Sequence, residues 1–439
     1  KDNFFEIGGD SLVAIGVAMT ASHEGVELTP QDLYDHGTLT ALADALVTRQ
    51  ASGGLASQDG GQSNVAVPPN ILRFLDSGLA QPGRWRAPLV LGIDSRVSAD
   101  DVRSVLTALV NHHDALRMRV VNRAGMWQQH IGEPGEFTDL IEKVLPADAE
   151  AGTPQERKAL QVIVSEAMAE PELADSPLTA IFVADSQAAP RFLVLTVHAM
   201  VDDPTSREVL VTDLLTAFGQ RLGGGEIAPE PATTSWREWS RRCAALAAHP
   251  AVLDELGYWI DQEAAATVRL TGADATRVGG GPGADDLVRV ATALTPEQTS
   301  QTDNARRILQ ASTEEILLAA LSRCVAGTTG EGVLAVDLLG SGRSVLRPDV
   351  DFHRTIGWFS TIYPVALACT TGPAAELLAG ISRTVKDVPH HGIGYGLLRY
   401  LHAPAAGLLG ATGTADVFVS YLGMIPEWQE PDAPVRFAS

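Results

Sequence analysis

One histidine and two aspartates stand within six residues of each other in Val197-His198-Ala199-Met200-Val201-Asp202-Asp203. The apolar run before them, Phe192-Leu193-Val194-Leu195-Thr196, reads as a buried strand. After them comes Pro204-Thr205-Ser206 and a helical run from Arg207 to Phe218, with Ser206 or Thr205 as its N-cap. An imidazole and carboxylates on a loop between a core strand and a helix are equipment for proton transfer, set where scaffolds place reacting groups. No other stretch competes. His112-His113 sits on a helix with no ligand partner four residues on and reads as packing or surface. His390-His391 follows Pro389 and reads as surface, and no metal spacing, phosphate loop or Ser-His-Asp set is present.

The loop resembles the HHxxxDG motif of the condensation and epimerization domains of non-ribosomal peptide synthetases. His198 aligns with the second histidine and Asp202 with the aspartate; Val197 replaces the first histidine and Asp203 the glycine. In that family a glutamate from a Glu-Gly-His-Gly-Arg-Glu run faces the second histidine across the substrate. The matching run here is Leu339-Gly340-Ser341-Gly342-Arg343-Ser344, and Leu339 cannot accept a proton. Each lost acid/base group is worth roughly 10²–10⁴-fold in rate. Asp203 is expected to place bulk and negative charge at the tunnel mouth, where a glycine would let substrate come close. Asp202 is expected to be a structural carboxylate paired with Arg343 or Arg119. His198 reads as a relic held by hydrogen bonds; a surviving base and a ligand-binding role are the other readings.

The elements that position this loop alternate between two periods. Apolar residues at helical spacing mark 102–116, 155–170, 207–221, 235–247 and 313–326, and strand-like runs mark 192–197, 333–338, 361–368 and 416–421. That is an α/β chain. The resemblance extends through Thr233-Thr234-Ser235-Trp236-Arg237-Glu238-Trp239, Arg354-Thr355-Ile356-Gly357-Trp358-Phe359-Ser360, Gly392-Ile393-Gly394-Tyr395-Gly396 and Ser420-Tyr421-Leu422-Gly423, which favour epimerization-type ancestry. It implies two chloramphenicol-acetyltransferase-like lobes in a V-shaped condensation-type fold, residues 67–240 and 241–439, with His198 facing a tunnel between them.

The N-terminal stretch is different. Asp2-Asn3-Phe4-Phe5-Glu6-Ile7-Gly8-Gly9-Asp10-Ser11-Leu12 resembles the attachment motif of a peptidyl carrier protein. Gly8-Gly9 permits a tight turn and Asp10-Ser11 opens a helix, so a phosphodiester on Ser11 would lie at a positive helix N-terminus. By resemblance Ser11 carries 4′-phosphopantetheine, and residues 1–49 are part of an all-α carrier bundle. Residues 50–66 are Gly-, Ser- and polar-rich and read as a flexible tether.

Composition narrows the partners. The 439-residue chain is 45% hydrophobic and 20% charged, ordinary for a globular protein long enough for two or three domains. A net charge of -22 disfavours nucleic acid and anionic membranes. Three scattered cysteines support neither a disulfide framework nor a metal set, which suits a cytoplasmic setting. The first residue is Lys1, so the chain is expected to be cut from a longer one.

An epimerization-like domain without its acid/base partners, directly after a carrier, resembles the X-domain of glycopeptide-antibiotic synthetases. The Asp202-Asp203 pair agrees with that group's HRxxxDD signature, and Val197-His198 departs from its His-Arg. The resemblance implies a non-catalytic domain that docks cytochrome P-450 oxygenases beside the carrier-bound peptide, among neighbouring synthetase domains. An active epimerization or condensation domain and a structural spacer are the alternatives.

Overall fold

A computed structural model describes residues 64–168, 172–231, 233–270, 288–343, 351–410, 415–423 and 435–437, with scattered positions among 17–43. Ser11 and nearly all of the expected tether lie outside the described residues. The end of that tether does not: Asn64–Val65 (β1) pairs with His130 and Gln129.

Three sheets build the described fold. The largest runs in the order β11-β2-β7-β6-β5, from Val435–Phe437, Arg86–Ile93, Pro190–His198, Leu178–Ala184 and Leu140–Val144. β7 is central and its alternation splits two cores. Leu193, Leu195 and Val197 face the main cluster, while Val194 joins Ile181 and Val183 against α3, Pro154–Ala167. The second sheet places β1 beside the hairpin of β3, Met118–Arg123, and β4, Met126–Ile131. The third pairs β8, Gly332–Gly340, antiparallel with β9, Thr361–Cys369, and parallel with β10, Val417–Val419.

Helix starts follow local chemistry. Ser98 and Asp101 form a capping box that opens α2, Ala99–His112. Asp203 caps α4, Pro204–Leu222, by accepting from the Ser206 backbone N–H, so neither Thr205 nor Ser206 is the cap. Proline suits the first helical position because its missing donor would be unpaired there anyway. Later helices are α5, Trp236–Leu246; α6, Leu256–Ala264; α7, Pro296–Leu309; α8, Thr313–Thr329; and α9, Ala374–Lys386.

Both ends of the described chain cross between the halves. β11 adds an edge to the N-terminal sheet. α1, Pro69–Asp76, reaches the C-terminal half: Arg73 pairs with Asp337 on β8, and the Asn70 amide donates to the Trp358 carbonyl at 3.2 Å. One hydrophobic cluster therefore runs through both halves, from Leu109 and Phe218 to Phe359 and Leu398. Among the described residues no helix is long and apolar enough to cross a membrane. Cys243, Cys324 and Cys369 are all free.

Candidate functional site

His198 is the last residue of β7, where the strand register sets it opposite Arg86. A single 3-10 turn, Ala199–Val201, follows, and that turn folds the backbone back onto the ring. The Met200 N–H donates to His198 Nδ1 at 3.1 Å. Nδ1 therefore carries no proton, and Nε2 carries it, donating to the Pro82 carbonyl at 3.0 Å. Both ring nitrogens are spent on backbone. The residue is 1% exposed, with Phe74 standing edge-on at 5.8 Å between centroids. Burial pushes its pKa down to about 4; the Pro82 bond acts the other way, and the Arg86 charge adds to the drop. The imidazole is closed in and neutral, not open to an inter-lobe channel as expected. Beyond Pro82 lies a groove of about 530 Å³, lined among others by Arg84, Val120, Trp127 and Leu173.

Asp202 is a structural carboxylate paired with an arginine, as expected, but the partner differs, and Asp203 stands elsewhere than expected. Asp202 takes neither Arg343 nor Arg119: the Arg207 guanidinium, five residues on, forks onto both of its oxygens, one at 3.2 Å. Arg119 donates to the Met118 carbonyl. Burial raises the Asp202 pKa against the opposing pull of Arg207. Asp203 does not project into a tunnel. It is 6% exposed and accepts from the Ser206 N–H at 2.7 Å, the Phe359 N–H at 3.0 Å and Arg343 Nη2 at 3.0 Å.

Arg343 comes from the segment after β8, so this contact joins the halves. Its Nη1 donates to the carbonyls of Thr355 (2.9 Å) and Phe352, its Nη2 also reaches Ser206 Oγ at 2.9 Å, and it lies 4.2 Å above the Phe359 ring. Ser206 Oγ in turn donates to the Gly357 carbonyl at 2.5 Å and accepts from its N–H at 3.0 Å. Gly342 fits this approach because it sits at φ +61, and a Cβ there would lie 1.7 Å from the Phe359 oxygen. Leu339 is on β8, paired with Ile362, and brings no titratable group.

The histidine pairs set aside from sequence have partners. His390 Nδ1 meets Glu255 Oε1 at 2.5 Å, with the His390 side chain 44% exposed. His113 is buried and its Nε2 lies 3.0 Å from Asp213 Oδ2; Asp213 also pairs with Arg354. Sequence reasoning missed Asp213 because it lies 100 residues from His113.

The condensation-domain profile matches residues 72–408. The chain belongs to the condensation-domain family. Residues 1–46 match the phosphopantetheine attachment site, so this segment carries 4′-phosphopantetheine on a serine. The chain is 51% identical over 441 residues to a phenolphthiocerol/phthiocerol polyketide synthase component of Mycobacterium tuberculosis. That match covers all of this chain but only 30% of the relative's length. Among solved structures, the epimerization domain from the third module of tyrocidine synthetase B superposes with TM-score 0.72 at 21% identity, over 87% of this chain and 85% of that one. The complex of the X-domain and OxyB from teicoplanin biosynthesis gives TM-score 0.61 at 18% identity, over 80% and 77%. The condensation-type α/β fold expected from sequence is thus borne out. The glycopeptide assignment is not matched by the 51% identical relative, which belongs to a polyketide synthase.

Proposed function

We propose that this condensation-family domain is a non-catalytic docking platform, holding a carrier-bound chain where a separate enzyme can act on it. The observation that carries the reading is the state of His198. Its Nδ1 accepts from Met200 and its Nε2 donates to Pro82, so neither nitrogen is left to take a proton from a substrate. Leu339 offers no acid/base group from the other half. A two-sided proton transfer needs groups on both faces, and neither His198 nor Leu339 offers one. The cargo sits on the preceding carrier, whose attachment residue we take to be Ser11. Residues 67–240 and 241–439 are its two lobes, with 50–63 as tether to the carrier.

The incoming enzyme, on the sequence reading, is a cytochrome P-450 oxygenase; the X-domain solved with OxyB supports that choice by fold alone. The 51% identical polyketide synthase relative supports an acyl chain of polyketide type as the cargo in place of a peptide. Titration of the whole chain, carrier loaded and unloaded, against the oxygenases encoded beside it tests the platform. One-to-one binding at micromolar affinity or tighter is expected, with no α-proton exchange into deuterated solvent on a loaded carrier. Exchange that disappears in His198→Gln would overturn the reading and restore an enzyme. Absence of both binding and exchange would leave a spacer.

A further inference from the structure

Two sequence-adjacent histidines do not ordinarily meet. In a helix, neighbours point about 100° apart, so their rings diverge. Here α2 ends between them. His112 is its last residue, and His113 leaves the helix at φ -99, ψ 104. That change of backbone direction brings the two rings edge-to-face, 4.7 Å between centroids. Asp213, from the middle of α4, completes the group. The ligand-type atoms of His112, His113 and Asp213 all lie within 4.8 Å of one another.

The bonding of each member leaves the right atom facing inward. His112 Nε2 is buried with no hydrogen-bond partner among the described residues. In the tautomer with its proton on Nδ1, that Nε2 presents an unshared lone pair. A buried acceptor without a donor costs free energy unless something binds it. His113 Nε2 lies 3.0 Å from Asp213 Oδ2. Asp213 Oδ1 is already taken by Arg354, which turns Oδ2 toward the imidazoles. An arginine behind the carboxylate is an outer contact of the kind that orients a metal ligand.

We infer that His112, His113 and Asp213 form a zinc-class divalent metal site, with two imidazole nitrogens and one carboxylate oxygen as ligands. Tetrahedral zinc takes such donors at about 2.0–2.2 Å, which sets neighbouring ligand atoms roughly 3.3 Å apart. The present His113–Asp213 separation needs to open by only a few tenths of an ångström. His112 moves its free lone pair inward by more. The C-terminal end of the 14-residue α2 adds a favourable negative field. The opposing charge of Arg354 is offset by Glu230, 3.2 Å from its Nη1. Three protein ligands leave a fourth position for water. The ion would tie the end of α2 to α4, whose Asp213 already pairs with Arg354 on the 351–359 segment.

The test uses the full chain without a histidine tag, stripped with chelator and held in millimolar magnesium to saturate weak carboxylate sites. Zinc titration against a chelating dye should give one ion per chain, micromolar or tighter, with a rise in Tm. Cobalt(II) in its place should show the visible bands of a four-coordinate N/O site. His112→Leu replaces a buried ring nitrogen that has no partner among the described residues with an apolar side chain, so its metal-free Tm should not fall below the wild type. Its zinc affinity should fall by at least about tenfold, since even an outer contact is worth that much. Zinc binding by the wild type no tighter than by His112→Leu, or cobalt bands that survive that change, would overturn the assignment.

Discussion

Arg343 Nη2 donates to Asp203 Oδ1 at 3.0 Å, with side-chain exposures of 3% and 2%. The two residues lie 140 positions apart, and between them they accept or donate six hydrogen bonds to Ser206, Phe352, Thr355, Phe359 and each other. The aspartate that stands where the family motif has glycine is therefore a strut between the halves.

Restoring the glycine should cost stability. Asp203→Gly removes the α4 cap and strands a buried guanidinium; breaking such a pair costs on the order of 3–5 kcal/mol. Urea denaturation of Asp203→Gly against the wild type reads this directly. A loss under about 1 kcal/mol would mean the pair contributes nothing beyond an exposed ion pair.

His198 gives a pH signature. Its folded pKa, about 4, is below its ordinary value of 6.5, so the unfolded chain binds the proton more readily. The contribution is fully present above pH 6.5 and is lost as pH falls toward 4. Between pH 7.5 and 5 the wild type should lose about 2 kcal/mol that His198→Gln does not lose. Parallel pH dependence in the two proteins would place the proton elsewhere.

Ser11 is the attachment point on the present reading. Incubation with a phosphopantetheinyl transferase and coenzyme A should add one phosphopantetheine to the intact mass, and Ser11→Ala should add none. Modification persisting in Ser11→Ala would move the site to another serine.

Much of the fold was legible because β7 and β8 are continuous apolar runs, and α2, α4 and α8 repeat with helical spacing. The C-terminal crossing strand Val435–Phe437 was not, because three residues carry no period. α7 was missed because its first nine residues carry no aliphatic or aromatic side chain beyond Pro296, its Ile308 and Leu309 come only at the end, and none of its residues is buried.

The site divides in the same way. Residue types alone determined that Leu339 cannot move a proton and that the HHxxxDG pattern is altered at Val197 and Asp203. Local spacing could have found Arg207 as the partner of Asp202, since five residues along a helix start bring them together. Only the tertiary structure decided that Asp203 meets Arg343, that Pro82 occupies His198 Nε2, and that Asp213 joins His112 and His113. Each of those contacts spans about a hundred residues or more, and one-dimensional periodicity has no term for groups that packing brings within 3 Å.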